Sequence, residues 1–222
     1  MAVLCQQVWE DTFSTRQWGR YPSEEVVRFY FGSRQLFTAS PSALDIGCGA
    51  GACAWFLAHN GVRVTAIDGA PSALEQLKRT LGEFHAESVV TVLADITKPH
   101  AFVQGPFDFL VDHYSLYANP EDAVARAFAE YHSLLAVGGR FLVCLFGKGC
   151  TGSESGRRSG KNTFVDLQTG PHQRTGTLTL WTQEEATELL RSCGYAIKYW
   201  EQQVHTRNDT IIEKFIFHLA AR

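Results

Sequence analysis

The sequence lacks the features of several classes of protein. Its six cysteines are scattered without a C-x-x-C pair, and no cluster of Cys and His has the short spacing of a zinc site. No apolar run reaches the length of about 18 residues that a membrane-spanning helix needs. The N-terminus has neither the basic start nor the long apolar stretch of a signal peptide. We therefore expect a cytoplasmic protein with reduced thiols, no bound metal and no membrane partner.

The sequence also lacks an excess of positive charge. It contains 20 Lys and Arg against 23 Asp and Glu, which gives a formal net charge of -3. Proteins that bind the phosphate backbone of nucleic acids are usually basic. Arg157, Arg158 and Lys161 come nearest to a basic patch, and their Gly and Ser neighbours favour a solvated loop. We expect no nucleic-acid partner, and the composition leaves the oligomeric state open.

Apolar strands alternate with helices from Ser42 onward. The patterns predict strands over 43–46, 62–67, 88–93, 107–111 and 141–146, and helices over 51–60, 71–81 and 120–136. Strands that are apolar throughout indicate a parallel sheet covered on both faces. Because such crossovers are right-handed, a doubly wound α/β sandwich follows. The chain of 222 residues is long enough for one such domain over 1–222.

The two ends of the chain differ from this alternation. Residues 1–40 are amphipathic and helical in pattern, with a helix start near Pro22. Residues 147–180 are rich in Gly, Ser and Thr in their first part, which is typical of either a disordered stretch or a functional cover. A helix over 182–193 follows, with Thr182 and Glu185 spaced as a capping box. Strands over 196–205 and 210–220 then form a hairpin, so the last strand runs antiparallel.

A glycine-rich turn is the segment that carries chemistry. Leu44-Asp45-Ile46-Gly47-Cys48-Gly49-Ala50-Gly51 leads from a strand into a helix. Glycine is needed where the turn is tight and a ligand lies against bare backbone. Gly47, Gly49 and Ala52 also satisfy the dinucleotide pattern G-x-G-x-x-G/A, so the turn by itself leaves a nicotinamide-dependent oxidoreductase open.

Acidic residues at the ends of the next two strands bear on which ligand the turn binds. Asp68 lies 19 residues after Gly49, where a carboxylate can accept hydrogen bonds from ribose hydroxyls. NAD-binding proteins share that acid. Asp95 ends the third strand and is placed to accept from an adenine amino group. The chain then closes with a helix and a hairpin, without a second nucleotide-binding half.

Together these motifs resemble the class I, Rossmann-like S-adenosylmethionine-dependent methyltransferases of the small-molecule type. The resemblance extends from about 42 to 220 and rests on L-D-I-G-C-G-A-G, A-I-D, L-A-D-I, F-D-F-L-V-D-H and L-L-A-V-G-G-R-F-L-V. It implies a seven-stranded, mostly parallel sheet in the order 3-2-1-4-5-7-6, with strand 7 antiparallel. It also implies S-adenosyl-L-methionine as cofactor and S-adenosyl-L-homocysteine as product.

The resemblance assigns cofactor-binding roles residue by residue. Gly47, Cys48 and Gly49 would face the methionine moiety and ribose, and Asp45 the methionine amino group. Asp68 would hold the ribose, while Gly69, Ala70, Asp95 and Ile96 would contact the adenine. Asp112 would lie beside the transferring methyl group. The N-terminal helical segment would cover the cofactor, with Tyr21 or Trp18 over its methionine end and Arg28 paired with its carboxylate.

The expected reaction is transfer of a methyl group to an oxygen or nitrogen atom of a small-molecule acceptor. His113 is the first candidate for a general base, and Tyr117 in the same loop could orient the acceptor. His172 and His205 are further candidates in later segments. Residues 147–180 would close over the acceptor. The alternatives are a protein or RNA methyltransferase and a non-catalytic protein that binds S-adenosylmethionine.

Overall fold

The structure is a computed structural model that describes residues 4–37 and 40–221. The strands of its main sheet are β1 Ser42–Ile46, β2 Arg63–Asp68, β3 Val89–Leu93, β4 Phe107–His113, β5 Leu135–Phe146, β9 Tyr195–Arg207 and β10 Thr210–Ala221. Their order is β3-β2-β1-β4-β5-β10-β9. Only β10 runs antiparallel to its neighbours. The predicted fold class and strand order are confirmed, because β10 and β9 take the places of strands 7 and 6.

Helices cover both faces of this sheet. They are α1 Gln7–Thr15, α2 Glu24–Ser33, α3 Ala52–His59, α4 Pro71–His85, α5 Glu121–Leu134 and α6 Gln183–Ser192. Side chains of α2, α3 and α4 pack on one face, and those of α5 and α6 pack on the other. Burial of both faces explains why consecutive residues of β1 and β4 are buried, instead of every second residue. No helix in the described ranges is long and apolar enough to cross a membrane.

Two predicted boundaries differ from the structure by four residues or more. The helix predicted over 71–81 continues to His85, although Gly82 has a non-helical φ of 59°. The helix predicted over 120–136 ends at Leu134, and β5 begins at once instead of at Phe141. Leu135 pairs with Phe107 of β4. This tertiary pairing overrides the helix propensity of the following alanine.

Residues 147–180 form structure that the sequence pattern does not predict. They contain the short strands β6 Arg157–Arg158, β7 Thr163–Val165 and β8 Thr177–Thr179, which make a three-stranded antiparallel sheet. Phe164 and Leu178 are buried in the main hydrophobic core. The small sheet is therefore anchored on the same core as the large one.

The closing elements match their predictions. Thr182 Oγ1 accepts a hydrogen bond from the Glu185 amide, and the Glu185 carboxylate accepts one from the Thr182 amide, so the predicted capping box is present. Asn208 and Asp209 join β9 to β10 with positive φ values of 45° and 61°. These are the angles of a tight hairpin turn. Of the predicted N-terminal segment, residues 1–3, 38 and 39 lie outside the described residues, as does residue 222 of the predicted domain.

Candidate active site

The glycine-rich turn lies at the carboxyl end of β1. Gly47, Gly49 and Gly51 have φ values of 62°, 52° and 85°, a region that favours glycine. A Cβ atom at Gly47 would lie 2.4 Å from Cβ of Ser115, and one at Gly51 would lie 2.6 Å from Cγ of Leu77. Glycine is thus required here by both backbone conformation and space. The turn leaves bare main chain facing the end of the sheet.

Asp68 is fixed beside this turn at the end of β2. Its Oδ2 accepts a hydrogen bond of 2.9 Å from the Gly49 amide, and its Oδ1 accepts one of 2.8 Å from the Ala70 amide. Burial raises the pKa of this carboxyl, and the surrounding backbone amides partly oppose the rise. Each carboxylate oxygen has two acceptor positions, so both oxygens can accept one further hydrogen bond.

Two other carboxyls of the site are fully buried. Asp45 and Asp112 each have an Oδ2 without a hydrogen-bond partner among the described residues. Burial raises the pKa of each to about 7. Asp112 Oδ1 accepts hydrogen bonds of 3.0 Å from the amides of Ser115 and Leu116. Asp112 therefore shapes the loop after β4, whereas Asp45 lines the cleft at the turn.

A cleft of about 780 Å³ lies over the carboxyl ends of the parallel strands. One wall is the glycine-rich turn with Asp68, and another is the N-terminal segment 4–19. Gln76 Nε2 holds that segment in place by donating to the carbonyls of Phe13 and Arg16 at 2.5 and 2.7 Å. The segment therefore roofs the turn, and Phe13 faces Gly49.

The third wall combines the loop 113–119 with residues 171–175 of the small-sheet segment. Gln6 connects all three parts. Its Nε2 donates to the carbonyls of Ala118 and Thr177 at 2.7 and 2.8 Å, and its Oε1 accepts from the Thr177 amide at 2.6 Å. The N-terminal segment, the loop after β4 and the small sheet thus enclose one cleft.

The candidate catalytic residues both line this cleft. His113 Nε2 lies 2.7 Å from Ser23 Oγ. Burial lowers the pKa of His113 to about 4, and the nearby cation of Lys214 lowers it further against the opposing effect of Glu25. The imidazole is therefore neutral at pH 7. Burial raises the pKa of Tyr117 above its usual range, so its hydroxyl keeps its proton.

The structure brings most of the sequence-predicted site residues together. Those that line the cleft are His113, Tyr117, Asp45, Gly47, Cys48, Gly49, Asp68, Gly69 and Ile96. The residues outside its lining are Tyr21, Arg28, Ala70, Asp95 and Asp112. Ala70 and Asp112 nevertheless support it, because one donates to Asp68 and the other holds the loop after β4.

Three predicted cofactor contacts have other partners in the structure. Arg28 Nη2 lies 2.5 Å from Glu201 Oε1. Tyr21 is 74% exposed and presents its ring to the edge of Trp55. The Asp95 carboxylate accepts from the amide and hydroxyl of Thr97 and pairs with Lys98 Nζ at 2.7 Å. The cofactor roles of these residues stay predictions, since the contacts in the structure are with other residues and not with the cleft.

Sequence reasoning missed some residues of the cleft. Ser115 Oγ donates to the Gly47 carbonyl at 3.1 Å. Arg16 lines the cleft, and no ion pair of its guanidinium occurs among the described residues. Trp9 and Phe13 lie four residues apart on α1, and this helical spacing is the signal that could have placed them on an inward face.

The comparisons with known proteins agree with this geometry. A family model described as "Methyltransferase domain" matches residues 43–139. No curated protein sequence is significantly similar to the chain. The chain resembles an S-adenosylmethionine-dependent methyltransferase of Methanosarcina mazei at 20% identity and a TM-score of 0.69, over 85% of this chain and 95% of that one.

Two N-methyltransferases crystallised with S-adenosylhomocysteine are also similar. One is NodS of Bradyrhizobium japonicum, at 20% identity and a TM-score of 0.66 over 97% of each chain. The other is the 1,6-didemethyltoxoflavin-N1-methyltransferase of Burkholderia thailandensis, at 20% identity and a TM-score of 0.62 over 89% of this chain and 78% of that one. At this identity the likeness shows the fold.

The match to a methyltransferase domain covers residues 43–139, and the strand order is the one that the sequence motifs predict. Both findings support the resemblance to the class I, Rossmann-like S-adenosylmethionine-dependent methyltransferases. S-adenosylmethionine is the cofactor of this class, and the bare turn at Gly47 and Gly49 with the acid at Asp68 fits a nucleoside of that kind.

Replacing Gly47 by alanine tests the role of the turn against a matched control. Gly47→Ala and Gly61→Ala both place a side chain at positive φ, at a cost of about 1–2 kcal/mol. Only the Cβ at residue 47 meets another atom, since nothing lies within 4 Å of Gly61. We expect Gly47→Ala to weaken S-adenosylhomocysteine binding by about tenfold or more in calorimetry, a loss of about 1.4 kcal/mol. Equal affinities in the two variants would contradict a ligand site at this turn.

Asp112→Asn tests the buried carboxyl through the pH dependence of stability. The unfolded chain releases this proton near pH 4, whereas the folded chain holds it up to a pKa of about 7. The folded state binds more protons between these values, so stability falls as the pH rises from 4 through 7. We expect thermal unfolding of Asp112→Asn to lose less stability from pH 5 to 8 than the wild type, by on the order of 2 kcal/mol. Asp122→Asn, at an exposed position, is the control, and a wild-type slope in Asp112→Asn would contradict the shifted pKa.

Proposed function

We propose that the protein transfers the methyl group of S-adenosylmethionine to an oxygen or nitrogen atom of a small-molecule acceptor. The observation that carries this proposal is the roofed cleft in which the bare glycine turn lies beside the anchored carboxylate of Asp68. The buried Oδ2 of Asp45 has no partner in this cleft, and a cationic amino group would supply one. The residues present therefore fit the cofactor of the class.

Side chains of the cleft provide partners for each part of that cofactor. Asp68 would accept from the ribose hydroxyls with the two acceptor positions that remain. Gly69 and Ile96 would lie against the adenine. Arg16 and Arg174 are cations that line the cleft. We assign Arg16, at the end of α1, to the methionine carboxylate in place of Arg28, which is paired with Glu201.

The cofactor supplies an activated methyl group on a positively charged sulfur. The protein then has to hold the acceptor in line and exclude water, which accounts for much of the acceleration of such a displacement. The N-terminal segment 4–19 and residues 171–175 provide this enclosure. They support the division into one domain with an N-terminal cover and a segment over 147–180 that caps the acceptor side.

His113 is the proposed proton acceptor. Its ring is neutral at pH 7 and interacts through Nε2 with the hydroxyl of Ser23. With a pKa of about 4, His113 is a weak base. It takes the proton of the methyl acceptor only as the bond to the methyl group forms, because that bond makes the attacking atom more acidic. Tyr117 keeps its proton and can donate a hydrogen bond that orients the acceptor.

The enclosed cleft and the similarity to two N-methyltransferases support a small molecule over a macromolecule as acceptor. A protein or RNA methyltransferase remains the alternative, together with a protein that binds the cofactor without transfer. A cytoplasmic location stays a prediction from the sequence.

Cofactor binding and transfer are tested together with Asp68→Ala. Loss of the charged hydrogen bonds should weaken S-adenosylhomocysteine binding by about 1.5–3 kcal/mol. Calorimetry measures the affinity, and release of S-adenosylhomocysteine from the wild type measures transfer. We expect release with a metabolite extract below 1 kDa and none with tRNA or denatured protein. Asp122→Ala, outside the cleft, serves as control.

An unchanged dissociation constant in Asp68→Ala would remove the ribose assignment. Release with tRNA or protein alone would favour the macromolecular alternative, and binding without any release would favour a non-catalytic protein.

The role of His113 is tested by His113→Ala. If the imidazole takes the proton, turnover should fall by about 10²-fold or more, while the affinity for S-adenosylhomocysteine stays near that of the wild type. The wild-type rate should not depend on His113 ionisation above about pH 5, because the neutral form prevails there. Wild-type turnover of the variant from pH 6 to 9 would exclude the proton-transfer role.

A further inference from the structure

Four aromatic rings form one wall of the cleft. We call Tyr114, Tyr117, Phe146 and His172 the aromatic wall; all four line the cleft. Phe146 is its centre, with ring centroids 4.5 Å from Tyr114, 4.8 Å from Tyr117 and 4.3 Å from His172. The wall joins the end of β5, the loop after β4 and the small-sheet segment, so its shape is fixed by three elements.

Polar atoms within this wall lack partners. Tyr114 Oη and His172 Nε2 are both buried without a hydrogen bond among the described residues, and His172 as a whole is only 5% exposed. A buried polar atom without a hydrogen-bond partner reduces the stability of the folded protein by about 1–3 kcal/mol. A hydroxyl or ring nitrogen on a bound molecule would supply a partner at the edge of an otherwise apolar surface.

The charges around the wall disfavour a cationic acceptor. The carboxylates that line the cleft, within the described residues, are Asp11 on the exposed side of α1 and Asp45 and Asp68 at the glycine-rich turn. None belongs to the aromatic wall. Lys214 Nζ already lies 5.1 Å from the Tyr114 ring centroid, where a second cation would be repelled. The nearby carboxylate of Glu25 is paired with this lysine at 4.0 Å. A protonated amine buried here would therefore lack the counter-ion that it needs.

The wall itself is uncharged at neutral pH. Burial lowers the pKa of His172 to about 4 and raises the pKa of Tyr114 and Tyr117 above their usual range. Neutral rings arranged edge to face interact well with the face or edge of another ring. The wall is suited to a flat apolar body with a few polar atoms on its rim.

We infer that the acceptor site takes an uncharged, planar aromatic or heteroaromatic molecule that packs against the aromatic wall and carries a hydroxyl or ring nitrogen. This inference rests on the proposed function, because it assigns the part of the cleft that the aromatic wall lines to the acceptor.

Two matched pairs of probes test the inference on the full-length protein saturated with S-adenosylhomocysteine. The first pair is 1-naphthol and its saturated counterpart decahydro-1-naphthol, which are both neutral but differ in planarity. The second pair is isoquinoline, neutral at pH 7.5, and tetrahydroisoquinoline, a cation of similar size. We expect the planar or neutral member of each pair to bind about tenfold more tightly in calorimetry.

Variants of the wall locate this binding. Phe146→Leu and His172→Leu should each weaken 1-naphthol binding about fivefold or more and leave the affinity for S-adenosylhomocysteine unchanged. The cofactor measurement also reports that each variant is folded. Phe102→Leu, an aromatic position that is 40% exposed and outside the cleft, should change neither affinity.

The outcomes separate the inference from the proposed function. Failure of the wild type to bind S-adenosylhomocysteine overturns the proposed function. Normal cofactor binding with equal affinities within each pair, with tighter binding of the cation, or with no binding of either aromatic probe up to 5 mM overturns the inference alone. Wild-type 1-naphthol affinity in both wall variants likewise overturns it.

Discussion

The main chain at Gly47 and the side chain of Ser115 occupy neighbouring space that admits no further atom. The first glycine of the turn therefore packs directly against the loop after β4. The hydroxyl of Ser115 stabilises this contact by donating a hydrogen bond to the Gly47 carbonyl. The loop is held in turn by Asp112, whose buried oxygen accepts from two of its amides. Asp112 does not line the cleft, yet it fixes the loop that lies against the glycine-rich turn. The carboxyl ends of β1 and β4 are therefore held at a fixed spacing, and the other residues of the site are arranged around them.

Burial gives neighbouring titratable groups of the site different roles. Asp68 is surrounded by amides that stabilise its charge, whereas Asp45 has an oxygen without a partner and holds its proton more strongly. His113 loses its proton for the same reason that Asp45 keeps one, because each charged form is poorly solvated. Titratable groups that line one cleft therefore differ in their charge at neutral pH.

The sequence predicts the parts of the fold that depend on local patterns. The order of strands, the glycine-rich turn and the capping box at Thr182 each follow from residues close together in the chain. Arg28 shows the limit of such reasoning, because its partner Glu201 lies 173 positions away. The three strands of the small sheet were missed because two or three residues are too few to display a period of two.

The side chain of Gln6 forms hydrogen bonds with both neighbouring walls of the cleft. A swing of the N-terminal segment away from the sheet must break three hydrogen bonds within one amide group together. These bonds all belong to the planar side-chain amide of Gln6, so a movement that breaks the bond to Ala118 also disturbs those to Thr177. The amide of Gln6 therefore couples the position of the N-terminal segment to the positions of both neighbouring walls.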